Sequence, residues 1–169
     1  MAQFIYSIGA LSSMMLFSFL ILVSRNATQQ IIYVNELSTQ VTGIADEVLD
    51  LIDSPDIVYD SNTGTLGAWK TTTGELSSYD SFGGCKVLSA CVDVDDFHGL
   101  KATRTHQGLD YSVAITVSYV STTNPDSVVT TPTLSKLVTV EVKSGAVIIN
   151  GDSLSASISR VITYDQPGI

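Results

Sequence analysis

No side chain from Met1 to Ser24 carries a charge, and no acid precedes Glu36. Basic residues are scarce throughout, with 8 Lys and Arg against 17 Asp and Glu and a formal net charge of −9. So acidic a chain is a poor ligand for phosphate backbones, which are bound by clustered Lys and Arg, and no nucleic-acid partner is expected. Two cysteines do not make a zinc cluster or an iron–sulfur site on their own. There is no CxxCH, no P-loop, no dinucleotide fingerprint and no G-x-S-x-G elbow. The chain is therefore read as a non-enzyme without cofactor or metal. Asp93, Asp95 and Asp96 stand just before His98, but D-x-D-D lacks the spacing and the Glu of a calcium loop. They read as a solvated acidic turn. Proline is absent before Pro55, so nothing interrupts helical backbone over the first third of the chain.

What fills that first stretch is apolar. Phe4 to Val23 reads FIYSIGALSSMMLFSFLILV, and a helix of that length spans ~30 Å, the thickness of a bilayer's hydrocarbon core. It is a cleaved signal, a permanent anchor or the core strand of a polymer. The first fits poorly: no Lys or Arg precedes the run, the run is longer than a signal's apolar region, and Arg25 and Asn26 stand where small residues would mark cleavage. Ser7, Gly9, Ala10, Ser12, Ser13 and Ser18 interrupt the bulk. Gly9 and Ser13 make a small-xxx-small pair that lets helix backbones approach closely. Asn26-Ala27-Thr28 matches a glycosylation sequon, too short a pattern to decide anything.

Helical patterning continues past Arg25. Val34, Leu37, Val41, Ile44, Val48 and Leu51 form a heptad-type stripe, widened by Ile31, Ala45 and Ile52, with most of the acids off it. Gly43 costs ~1 kcal/mol against Ala. Pro55 is the expected stop, with Ser54 biased out of helical geometry, so an unbroken helix would measure about 80 Å. Asp50 and Asp53 stand at the end of the helix that favours cations, which nothing local explains. The C-terminal half of the stripe is expected to pack on the chain's own sheet.

Composition shifts at Ser54 to Thr, Ser, Val, Gly and Asp. Residues 54–84 read as a long connection with turn signals at 61–64, 73–74 and 83–84. Period-2 alternation then marks strands over Asp110–Val120, Leu134–Val142 and Leu154–Tyr164, with Lys101–His106 preceding them and turned by Gln107-Gly108. In the second of these, Leu134, Lys136, Val138, Val140 and Val142 share a face. In the third, Leu154, Ala156, Ile158 and the later Val161 are the apolar positions. Asn124-Pro125-Asp126 and Asn150-Gly151-Asp152 carry turn chemistry. The fold class is α+β: a long N-terminal helix, apolar then amphipathic, packed on a small antiparallel sheet of about four strands. Its domains are 1–53, the helix, and 54–169, the β-rich head. Cys85 and Cys91 lack the CxxC spacing of a redox pair and read as a structural disulfide pinning a short loop, a closure that stabilises by ~2–3 kcal/mol in the chain-entropy model.

This order, an uncharged helix, an amphipathic continuation and a small antiparallel sheet, resembles a type IV pilin or a pilin-like filament subunit along almost the whole chain. The resemblance implies a subunit stored in the cytoplasmic membrane and handled by a pilus assembly machinery. It would then polymerise with copies of itself into an extracellular filament on the cell surface. The assembly core would be Phe4, Ile5, Ile8, Gly9, Leu11, Ser13, Leu16, Phe17, Phe19, Leu20 and Val23. Val34, Leu37, Val41, Ile44, Val48 and Leu51 would dock helix on sheet, and Cys85–Cys91 would be the disulfide. The alternative is a single-span anchored binding module that does not polymerise.

Overall fold

A computed structural model describes residues 2–54, 57, 76–147 and 153–163, with backbone alone for residues 2–8, 146 and 147. The expected Pro55 stop, the turns at 61–64, 73–74 and 150–152, and Tyr164 lie outside the described residues. The helix α1 covers Ala2–Ile52. The chain divides into two units, Met1–Leu37 and Ser38–Ile169. The packing boundary thus falls inside the helix and not at its end.

Within the second unit, the last turns of α1 are followed by three single 3₁₀ turns at Tyr79–Ser81, Leu88–Ala90 and Asp95–Phe97. The strands are β1 (Lys101–His106), β2 (Leu109–Val120), β3 (Val128–Val129), β4 (Ser135–Val147) and β5 (Ser153–Thr163). All pairs are antiparallel in the order β1-β2-β4-β5, and the short β3 pairs with the end of β2. The β1–β2 hairpin closes through Gln107 and Gly108 at φ 51° and 79°, both positive as a type I′ turn requires. Gln107 is the non-glycine that must be held there, and its Oε1 accepts from Gln40 Nε2 at 2.8 Å.

Alternation works as the pattern predicts on β2, where Tyr111, Val113, Ile115, Val117 and Tyr119 are all buried. On β4 the buried face is Lys136, Val138, Val140 and Val142. On β5 the half-buried positions run Leu154, Ala156, Ile158, Arg160 and Ile162. Val161 therefore turns to the opposite face, and Ile162 takes the inward place. The other face of the sheet is a polar ladder, in which Thr116 opposes Thr139 and the Thr139 and Ser159 hydroxyls meet at 2.8 Å.

Val41, Ile44, Ala45, Val48, Leu49 and Ile52 pack into one core with β2 and β4. Leu51, expected in this contact, is 37% exposed, and Leu49 is fully buried instead. The heptad spacing explains the miss. At ~100° per residue Ile52 returns to within about 20° of Val41 around the axis, while Leu51 lies about 80° away. The acids at the helix end find their account here too. Arg160, on the inward register of β5, lies 2.9 Å from Asp50 and 3.2 Å from Asp53, supplying the cation that the helix C-terminus lacks.

Candidate functional site

Two places concentrate what chemistry the chain has. The first is the apolar part of α1. From Leu11 to Val23 every large apolar side chain is between 51% and 74% exposed. Met14 to Phe17 and Phe19 to Val23 are consecutive runs, so the apolar surface goes all the way round the helix and leaves no polar stripe. Leu11, Leu16, Phe17, Phe19, Leu20 and Val23 belong to this surface. Phe4, Ile5 and Ile8 are helical in backbone, and their side chains lie outside the description. Among the described residues, one helix is long and apolar enough to cross a membrane. Ser13 Oγ donates to Gly9 O at 2.8 Å, and Thr28 Oγ1 to Ser24 O at 2.9 Å. The hydroxyls are thereby satisfied within the helix and tolerate apolar surroundings. At Gly9 a Cβ would meet nothing within 4 Å, so the small-residue pair is not used by this chain's own packing. Farther along, Val34 is half-buried and Leu37 buried.

The second place is polar and interior. Asp93 and Asp95 are buried, so the expectation of a solvated acidic turn is wrong for both. The sequence pattern missed it because the acids are consumed in three different directions. The Asp96 carboxylate accepts from the backbone N–H of Val92 and Asp93, at 3.1 and 3.4 Å, and Asp93 Oδ1 accepts from the N–H of Asp96 at 2.9 Å. Asp95 turns inward to Lys136, whose Nζ lies 2.5 Å from its Oδ1. Lys136 is completely buried, with Nζ 5.5 Å from the Phe82 ring centre and 5.4 Å from that of Tyr119. Tyr119 OH donates to Ser77 O at 2.8 Å. Among the described residues no group of three or more His, Cys, Asp or Glu is arranged to hold a metal ion.

His98 borders this interior as a substitute strand. Between the stretch of β2 paired with β1 and the stretch paired with β3, its Nδ1 stands 2.8 Å from Val117 O and 3.1 Å from Val117 N. One ring nitrogen makes one of these bonds, and the shorter distance favours Nδ1–H donating to the carbonyl. Its ring meets Tyr79 edge-on at 5.6 Å. Cys85 and Cys91 form a disulfide with Cα atoms 5.5 Å apart. Lys136 was the readable signal for this cluster, a Lys on the apolar face of a strand. Its partner was not readable, because Asp95 is far from it in sequence and approaches on an irregular turn. Comparison with family models, curated proteins and solved structures finds no match to this chain.

Proposed function

We propose that this chain is the structural subunit of a type IV pilin-like filament. In this reading copies associate through the apolar part of α1, and the Ser38–Ile169 unit remains on the filament's outside. The observation that carries the reading is the uncharged helical surface from Leu11 to Val23, exposed on all sides. Burying one Leu- or Phe-sized side chain stabilises by ~1.5–3 kcal/mol. A helix apolar all round therefore needs cover from several directions, which a lipid bilayer gives before assembly and several neighbouring helices give afterwards. The β-sheet unit buries its own core and keeps a Ser- and Thr-rich face, as a solvent-facing shell requires.

The test is electron microscopy of material sheared from the cell surface, with the chain identified by mass spectrometry. Thin uniform filaments composed mainly of this chain are expected. The second reading, a non-polymerising anchored module, is favoured by the same segment's fit to a bilayer span. A chain that stays with membranes and leaves only in detergent, as a monomer, would replace the filament reading with that one.

A further inference from the structure

We propose that Lys136 and Asp95 are joined by an intramolecular amide bond that forms spontaneously once the sheet unit has folded. The two groups come from separate elements, the 3₁₀ turn Asp95–Phe97 and the start of β4. Both are held in place from several sides. Lys136 is registered against Tyr119 on β2 and Ile162 on β5. The Asp95 carbonyl accepts from the N–H of Gly83 at 2.9 Å and from that of His98 at 3.1 Å. Their side chains are 0% and 6% exposed. The Nζ to Oδ1 separation of 2.5 Å is below the ~2.7–2.9 Å of a charge-assisted N–H···O bond. An amine held this close to a carboxylate, both of them buried and positioned by separate elements, is placed to react with it.

The chemistry balances without a co-reactant. In a dry pocket the neutral amine and carboxylic acid gain on the separated ions, because isolated charges are costly there. One proton passes from Nζ to the carboxylate. The Nζ lone pair then bonds to Cγ, the Cγ–OH bond breaks, and the hydroxyl leaves as water with a second proton from nitrogen. Charge is conserved, since an ammonium and a carboxylate become a neutral amide and one water. Phe82 and Tyr119 line the approach to Nζ and keep bulk water, the reverse reactant, away. Holding the reacting atoms in contact replaces the encounter that makes such condensations slow in solution.

The experiment is intact-mass spectrometry of the purified full chain, followed by reduction and trypsin digestion with fragment sequencing. The expected mass is that of the disulfide-bonded sequence less one water. Lys136 should resist trypsin, and residues 87–101 should be recovered branched onto residues 105–143 through Asp95 and Lys136. K136M, which removes the nucleophile, should regain the full mass. A wild-type chain of full mass cleaved normally after Lys136 would overturn the proposal, as would a lost water that fragment sequencing places anywhere else. Because the decisive measurement is on the wild-type chain, it stands even where the variant fails to fold.

Discussion

Gly83 is a position where one methyl group collides with the backbone. Its φ is +93°, and a Cβ built there would sit 2.8 Å from the carbonyl oxygen of His98. The left-handed conformation alone costs a side chain ~1–2 kcal/mol, and the carbonyl has no freedom to move, because its ring is engaged with Val117 and its neighbour Gly99 donates to Ile115 O at 2.9 Å. Gly83→Ala is expected to destabilise by at least ~2 kcal/mol, measured as a lower denaturant midpoint at unchanged slope. Gly108 is the control, with φ +79° and nothing within 4 Å, and its Ala variant should lose only the ~1–2 kcal/mol of backbone strain. Equal losses at both would show that the His98 contact costs nothing. At this scale the sequence was least legible. Gly83-Gly84 announces a turn, but not which backbone it must clear. D-x-D-D announces acidity, but not that Asp95 turns inward onto Lys136.

Elements were more legible, because period-2 and helical periodicities report a face directly. β1, β2 and β4 lie within a few residues of where alternation places them, and the five residues that the pattern turns inward on β2 are all buried, although at the strand's end Ser118 and Val120 are buried as well. The heptad stripe found the buried side of α1 but lost phase within its last turns, since a straight helix repeats at ~3.6 residues and not 3.5. That error is testable. Leu49→Ala should cost ~2–5 kcal/mol in the urea unfolding of the sheet unit, as a buried Leu truncation does, and Leu51→Ala should cost under ~1 kcal/mol. A larger loss at Leu51 would restore the heptad face. Val161 shows the same lesson on β5, where counting in twos from Ile158 leads to Arg160 and Ile162. Arg160 holds the helix end through charge. Its pKa is raised above the ordinary arginine value, chiefly by the hydrogen bond to Asp50 and then by that to Asp53, against an opposing desolvation. A raised pKa contributes stability that is complete below the unfolded value and lost only as pH rises through the folded one. For an arginine that loss lies beyond any physiological pH, so the clasp's cation does not titrate away. Both carboxylates and the guanidinium are substantially exposed, so the clasp is worth at most ~1 kcal/mol and weakens with salt.

For the whole molecule, assembly sets an apolar attraction against a like-charge repulsion, and the two respond to different perturbations. All 17 acids lie from Glu36 onward, and each copy carries a net −9. Packed side by side, copies repel through a field that decays over ~10 Å at 0.1 M salt but ~30 Å at 0.01 M. The proposed filaments should therefore shed subunits when dialysed to very low ionic strength, read as the fraction pelleted by ultracentrifugation, and recover when salt is restored. The attraction is probed at Gly9. A side chain there meets nothing within the chain itself, so Gly9→Leu leaves the sheet unit's thermal midpoint where it was. In a helix bundle that relies on the Gly9–Ser13 pair for close approach, the same substitution separates the backbones and lowers filament yield. Unchanged yield would remove Gly9 from the contact while leaving the bulky surface from Leu11 to Val23 to carry assembly. Reduced yield with an unchanged midpoint would place the contact there, since no defect in the subunit's own fold is left to account for it.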